Sequence, residues 1–227
     1  MSTSAVDLQK PSKSSVGNAI AAALRLWLRS QVETVDRIEI DLNGRNRDIL
    51  SGYVPQVSIS ARRAVYQGLH LSHIDLCGDR IRVNLWQILK GKPLRLLEPV
   101  PVSVRLHLRD RDLSRSLASP LLQTPVQELF QSVLPDAVDF STAEVRFDRS
   151  SLILSASTPQ PFTLTTEIRV AENNQLQFLT PKLETDRRQD FPTITVPFDS
   201  QVQLDELRLD RGKLSICGRL TVRSDEA

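Results

Sequence analysis

The three histidines are the side chains of this sequence best suited to metal or acid–base chemistry. His70 and His73 are three residues apart, a spacing that sends two side chains to opposite faces of a regular strand. No carboxylate or cysteine completes a metal-ligand set around them. His107 alternates with Leu106 and Leu108, which predicts that it faces outward from a strand. We therefore expect surface or edge histidines, no metal and no cofactor.

Motifs of other catalytic classes do not occur in the sequence. There is no nucleophile elbow, P-loop, glycine-rich dinucleotide loop or CxxC pair. The charge run Arg109–Asp112 is typical of a solvated turn that leads from a strand into a helix. The sequence therefore predicts a protein that is not an enzyme. A lipid hydrolase stays open as an alternative; it requires clustered acids or a serine–histidine pair, and His107 is its only hint.

Composition narrows the environment and the partners. The chain has 29 basic and 27 acidic residues and a net charge of +2, too balanced for a dedicated nucleic-acid binder. Cys77 and Cys217 are too few for a disulfide framework and indicate reduced thiols. No apolar run is long enough for a signal peptide or a bilayer span. We expect a cytoplasmic protein whose contact with a membrane, if any, is peripheral and on the inner face.

One connection between two predicted strands combines bulky apolar residues with lysines. Its members are Trp86, Ile88, Leu89, Lys90 and Lys92. Apolar side chains enter a membrane interface while lysines meet anionic head groups, so this segment is predicted to dock on a membrane. The alternative is that Trp86 and Leu89 fold back onto the core.

The first half of the chain is also rich in basic residues. Its cations are Arg62, Arg63, Lys90, Lys92, Arg95, Arg105, Arg109 and Arg111. Two interpretations are open: they hold phosphate, or they form the ordinary outward face of strands.

The elements that must position these residues follow from periodicity. Residues 1–14 are polar and are predicted to be disordered. Apolar residues recur at helical spacing from Ser15 to about Leu28, and a capping box at Thr124–Gln127 predicts a second helix. A short helix before it is predicted to end at Pro120. Period-two alternation predicts strands at 38–42, 57–61, 100–108 and repeatedly after Pro135.

A repeated pattern suggests how the strands are organised. Three segments read as hairpins around the turns Cys77–Arg80, Asp148–Ser151 and Asp210–Lys213. A phase change between Leu71 and Ile74 predicts a β-bulge. We expect one elongated α+β domain over residues 15–227, in which two hairpin-repeat halves, about 15–135 and 136–227, are one interpretation. Hairpins recurring in any antiparallel sheet are the other.

The order of several motifs resembles that of a known family. They are Ile49-Leu-Ser-Gly52, the strand Val57–Ala61, the run Gly68–Leu76, the strand Val100–Leu108 and the helix Asp112–Ala118. The progression resembles the LmeA-like family of phospholipid-binding proteins, from about Val32 to Val222. The resemblance implies a tubular lipid-binding fold, in which a long curved, mostly antiparallel sheet wraps the N-terminal helix and encloses an apolar groove. It implies no catalytic residues.

The predicted function is the binding of a phospholipid or similar amphiphile, with peripheral membrane docking. The residues predicted to line the groove are Leu24, Trp27, Leu28, Val104, Leu106, Phe130 and Val133. The prediction rests on an excess of one-faced strands over the helices available to cover them. The alternative is a protein-interaction or assembly module, whose apolar sheet face meets a partner or a second copy of the chain.

Overall fold

The computed structural model of the chain describes residues 15–88, 90, 92, 95–134, 138–157, 160–172 and 174–223. The helices are α1 (Ser15–Gln31), α2 (Asn46–Leu50), α3 (Leu85–Ile88), α4 (Asp110–Ser116) and α5 (Pro120–Leu129). The strands are β1 (Thr34–Asn43), β2 (Tyr53–Tyr66), β3 (Leu69–Arg82), β4 (Val100–Arg109), β5 (Glu144–Asp148), β6 (Ser151–Ala156), β7 (Phe162–Ala171), β8 (Gln175–Glu184), β9 (Arg188–Asp190), β10 (Ile194–Pro197), β11 (Val202–Asp210) and β12 (Lys213–Val222). The predicted α+β class with mostly antiparallel strands is confirmed. The tail predicted for residues 1–14 lies outside the described residues.

The strands form two antiparallel sheets. The first sheet has the order β1-β2-β3-β4-β12-β11, and the second has the order β10-β8-β7-β6-β5 with β9 beside β8. The C-terminal hairpin therefore returns to the first sheet, where β12 pairs with β4 along its whole length. The division into two repeated halves stays a prediction.

Helix α1 and the first two strands enclose one hydrophobic cluster. The predicted helix begins at Ser15, and its Leu24 and Leu28 pack against this cluster. Ile38 and Ile40 of β1 are buried in it, while Glu39 between them is exposed. The period-two pattern of the sequence is thus satisfied by burying one face of the sheet beneath a helix.

A larger cluster lies between the two sheets. Leu108 and Leu214 of the first sheet meet Leu154 and Leu164 of the second, and Leu164 is fully buried. Ser114 of α4 joins the sheets as well, because its hydroxyl accepts a hydrogen bond of 2.8 Å from the backbone N–H of Val145. This helix therefore fixes the second sheet against the end of β4.

The second helix differs from its prediction. Pro120 begins α5 instead of ending the preceding helix, and α5 ends at Leu129. Proline is well tolerated in the first turn of a helix, where its missing N–H has no partner to lose. Phe130 and Val133, predicted to continue the helix, lie in the turn beyond it and are buried in the cluster between the sheets.

Two of the three predicted hairpins are confirmed, with turns between β5 and β6 and between β11 and β12. The third is wrong, because Cys77–Arg80 continues β3 as a strand paired with β2. The turn lies instead at Gln67–Gly68, whose φ angles of 48° and 75° suit a type I′ hairpin. Local turn chemistry at Cys77 is overridden because β2 offers fourteen residues as a partner.

The predicted bulge in β3 is also wrong. The pairing of β2 with β3 keeps one register from Tyr53↔Arg82 to Tyr66↔Leu69. The irregularity lies across from Ser72, at Arg63 of β2, whose φ of 48° is left-handed and whose side chain forms an ion pair with Asp36.

Candidate functional site

The first sheet has one apolar and one polar face. Strand register places Ile59, Leu76, Val104, Gly218 and Leu204 side by side across β2, β3, β4, β12 and β11. Neighbouring positions on each strand point to the opposite, polar face. The alternation predicted from the sequence, with apolar residues on one face and polar residues on the other, is therefore present across these five strands.

Part of the apolar face lies outside the hydrophobic clusters that the described residues form. Its residues are Leu76, Val102, Val104, Leu204 and Leu220, which we name the apolar strip. All five are half-buried, and none belongs to the three hydrophobic clusters of the described residues. At its margin Val202 is 40% exposed. An apolar surface of this kind is a site where another apolar molecule can bind.

The predicted groove residues lie in three places. Val104 belongs to the apolar strip, whereas Leu106, two residues along the same face, packs against the cluster between the sheets. Phe130 and Val133 are buried inside that cluster, at 3% and 4% exposure. A lipid would have to open the cluster to reach these last two side chains.

The other predicted groove residues belong to α1. Leu24 and Leu28 pack on the cluster beneath the helix, and Trp27 is 37% exposed. Ile59 joins this cluster to the apolar strip, because it packs in the cluster and pairs with Leu76. Leu204 and Leu220 were not predicted as groove residues, since no local pattern in the sequence shows that β12 lies beside β4.

The segment predicted to dock on a membrane projects from the end of β3. Trp86 is 69% exposed, and Lys90 and Lys92 are exposed. The alternative in which Trp86 folds back onto the core is wrong, because Leu85 occupies the buried position instead, at 3% exposure. Leu89 and the side chain of Ile88 lie outside the described residues.

A buried asparagine holds the base of this segment. The amide oxygen of Asn84 accepts a hydrogen bond of 2.7 Å from the backbone N–H of Arg95, and its NH₂ group donates one of 3.0 Å to Gln87. Val83 forms an isolated bridge with Leu96 across the same base. These bonds fix the two ends of the segment, which we name the docking loop (residues 84–97).

The polar face carries two concavities. One, of about 370 Å³, is lined by polar side chains from all six strands, including Glu39, Asp75 and Arg105. Both signs of charge line it, four carboxylates and two arginines. At one margin Arg219 donates a hydrogen bond of 2.9 Å to Asp205, which raises the pKa of Arg219. The second, of about 1040 Å³, lies between the strand ends and α4 and is mostly basic.

The histidines lie on central strands of the polar face and not at an edge. His73 and His107 are cross-strand neighbours whose rings stack with centroids 6.0 Å apart. His73 Nε2 lies 3.0 Å from Asp75, and His107 Nδ1 lies 2.9 Å from the hydroxyl of Ser215. Among the described residues no group of three or more His, Cys, Asp or Glu side chains is arranged to hold a metal ion.

A serine–histidine contact is therefore present, as a hydrolase would require. A catalytic serine needs its histidine oriented by a third group, usually a carboxylate. Within the described part of the chain, His107 contacts no carboxylate at hydrogen-bond distance. The contact with Ser215 joins β4 to β12, and nothing in its geometry favours hydrolysis.

Comparison with family models decides what kind of protein this is. A model described as LmeA-like phospholipid-binding matches residues 16–219. The chain belongs to the LmeA-like phospholipid-binding family. The match runs from the first turn of α1 into β12, so both sheets of this LmeA-like protein lie within it. Searches of curated proteins and of solved structures gave no significant match. None of the described helices is long and apolar enough to cross a membrane.

Proposed function

We propose that this LmeA-like protein binds a phospholipid or similar amphiphile without catalysis, and that an acyl chain lies on the apolar strip. The observation that supports this most is the strip itself, in which five half-buried apolar side chains stand in register across four strands outside every cluster. Family membership supports a phospholipid as the ligand.

The size of the strip suits an acyl chain. From β3 to β11 it crosses three strand spacings, about 14 Å in all. Each methylene group removed from water there contributes about 0.8 kcal/mol, so several of them give useful affinity. No polar partner is needed for this part of the ligand.

The walls of the groove form the second part of the proposal. Helix α1 covers the cluster next to the strip, so Leu24, Leu28 and the partly exposed Trp27 bound one side. Leu106 bounds the other side, where it meets the cluster that contains Phe130 and Val133. In this arrangement the sheet curves around the helix in the manner of a tubular lipid-binding protein.

Native mass spectrometry of the purified protein, followed by extraction and identification of bound lipid, tests the strip. We expect Leu76→Thr/Val104→Thr to retain at most a fifth of the lipid carried by the wild type. The matched control is Leu176→Thr/Val170→Thr, a cross-strand leucine–valine pair on the second sheet. Equal lipid in both variants contradicts the site. A wild type that is a stable, lipid-free dimer supports the assembly module instead.

The docking loop is proposed to bring the protein to the cytoplasmic face of a membrane. The exposed indole of Trp86 suits the interface, and the exposed Lys90 and Lys92 suit anionic head groups. Asn84 holds the base of the loop, so the two ends of the loop keep their positions on the sheet.

Flotation with phosphatidylserine-containing vesicles tests this docking. We expect Trp86→Ala/Lys90→Ala to lower the vesicle-bound fraction several-fold. The control is Tyr66→Ala, which removes another exposed aromatic residue at the end of β2, opposite Leu69 at the far end of β3 and about 40 Å away. Unchanged vesicle binding of the double variant would contradict membrane docking by the loop, and it would leave the proposed lipid site on the apolar strip unaffected.

A further inference from the structure

The larger concavity of the polar face has far more positive than negative charge. Seven arginine or lysine residues line it against two aspartates: Arg37, Arg62, Arg63, Arg109, Arg111, Arg115 and Lys213 against Asp36 and Asp112. We name it the basic trough. Its neighbour on the same face mixes both signs, so the charge excess belongs to this end of the sheet.

Ion pairs neutralise only some of these cations. Arg63 pairs with Asp36, Arg111 lies 3.8 Å from Asp112, and Arg37 lies 3.0 Å from Glu39 outside the trough. The remaining cations are Arg62, Arg109, Arg115 and Lys213, and none of them forms an ion pair within the described part of the chain. Four positive charges in one concavity are thus uncompensated.

The strand register brings like charges face to face. Arg62 lies directly opposite Arg37 on β1, and Arg109 lies directly opposite Lys213 on β12. Like charges in these positions destabilise a sheet. Two such pairs on one face, at either side of the stacked histidines, are explained if an anion bound between them offsets the repulsion.

The histidine at the centre has one ring nitrogen without a hydrogen-bond partner among the described residues. His73 is held through Nε2 by Asp75, while its Nδ1 is buried and forms no hydrogen bond with any described residue. A buried ring nitrogen requires a partner in either protonation state, because it accepts from a hydroxyl when neutral and donates to an anionic oxygen when charged.

Asp112, one of the two aspartates that line the trough, is already engaged. Asp112 accepts a hydrogen bond from Ser72, and the hydroxyl of Ser116 donates one of 2.7 Å to the backbone oxygen of Asp112. The Ser116 hydroxyl in turn accepts one of 2.8 Å from the backbone N–H of His70. These bonds dock α4 on β3, so Asp112 is committed to forming the wall of the trough.

We propose that the basic trough is a binding site for a phosphate-bearing anion, with Arg62, Arg109 and Lys213 as its cationic ligands and His73 as a hydrogen-bond partner. Arginine and lysine are the usual partners of phosphate oxygens. The site is separate from the apolar strip, since the two lie on opposite faces of the sheet. It is also separate from the docking loop, because His73 lies about 30 Å along β3 from Arg82, where that loop begins.

The phosphate has two potential sources, a soluble phosphate ester or the head group of a membrane lipid. Isothermal titration calorimetry and thermal melting with inorganic phosphate and with glycerol 3-phosphate, against sodium chloride at equal ionic strength, test the shared chemistry. Flotation with phosphatidic acid vesicles, against phosphatidylcholine vesicles, tests the lipid. Binding of glycerol 3-phosphate identifies a soluble ester as sufficient, and binding of phosphatidic acid vesicles alone identifies the head group. Either result supports the proposal.

The variant that tests the site is Arg62→Gln/Lys213→Gln. We expect it to lose at least tenfold in phosphate affinity and to melt no lower than the wild type, because each change removes a like-charge contact. Its control is Arg146→Gln/Lys182→Gln, two exposed cations of the second sheet. The proposal is overturned if neither the soluble phosphates nor phosphatidic acid vesicles bind the wild type better than their chloride and phosphatidylcholine controls do, or if the trough variant binds like its control. Loss of lipid from the apolar strip leaves this test unchanged.

Discussion

Gly218 shows how a single residue shapes the apolar face. It lies on β12 between Val104 and Leu204, and a β carbon built on it would come within 2.4 Å of the backbone oxygen of Gln203. The register of β11 against β12 shifts at this point, between Leu204 and Glu206. Gly218 is therefore required for the close approach of β11 that completes the strip.

We expect Gly218→Ala to lower the free energy of unfolding by about 1–3 kcal/mol, as overpacking against a rigid neighbour does. The matched control is Gly78→Ala on β3, where the nearest atom is the flexible Cδ1 of Ile81 at 3.2 Å. Urea denaturation of both variants measures the difference. Equal stability of the two would show that β11 moves aside freely.

Asp199 titrates at the turn that leads from the second sheet into β11. The backbone N–H of Gln201 and the hydroxyl of Ser200 both donate to its carboxylate, which lowers its pKa from the ordinary 3.8. A lowered folded-state pKa stabilises the fold above the ordinary value. That contribution is lost as the pH falls through the folded-state pKa.

We expect Ser200→Ala to raise the pKa of Asp199 part of the way towards its ordinary value, since the bond from Gln201 remains. An NMR titration of the side-chain carboxyl carbon measures the shift. An unchanged midpoint in the variant would show that the Ser200 hydroxyl contributes nothing to this turn.

At the scale of elements, the docking loop depends on its base more than on its own helix. The helix α3 has only four residues, and a helix this short has little stability of its own. Asn84 is 8% exposed and bridges the two ends of the loop through Arg95 and Gln87. The orientation of Trp86 is thus set by a buried polar side chain.

We expect Asn84→Ala to lower the free energy of unfolding by about 1–3 kcal/mol, because it leaves the N–H of Arg95 without its acceptor. Hydrogen exchange at the Arg95 amide should become faster and vesicle binding weaker. The control is Asn84→Asp, which keeps an acceptor oxygen for Arg95. Equal exchange rates in the two variants would contradict the role given to the asparagine oxygen.

At the scale of the whole molecule, the first sheet separates the two proposed binding surfaces. The apolar strip lies on one face and the basic trough on the other, while the docking loop projects from one end. Two hydrogen bonds join the second sheet to the opposite end of the first sheet and to α4. The N–H of Val145 donates to the hydroxyl of Ser114, and the N–H of Gly212 donates to the backbone oxygen of Phe147. An amphiphile on the strip would complete a core that the helices leave open.

If an amphiphile occupies the strip, its removal should expose the strip and promote self-association. We expect the delipidated protein to form concentration-dependent dimers in analytical ultracentrifugation, whereas the loaded protein stays monomeric. Leu204→Lys should suppress the dimers, because it places a charge on the exposed margin of the strip. Dimers that form equally in the loaded protein would favour the assembly module.

The sequence by itself determined which face of each strand is apolar, where α1 lies and which loop carries tryptophan beside lysines. These properties follow from local periodicity and composition, and the structure confirms them at Ile38, Ile40 and Trp86. Local patterns failed at Cys77–Arg80 and Pro120, because pairing with β2 and packing on the core outweighed weak turn and helix preferences.

Only the tertiary structure decided that β12 lies beside β4. This pairing puts Leu220 next to Val102 on one face and Ser215 next to His107, 108 residues away in the chain, on the other. Contacts between residues so far apart leave no periodic trace in a sequence, since each strand's pattern shows which face is buried and not which strand lies next to it. The strip and the trough both depend on that choice of neighbour.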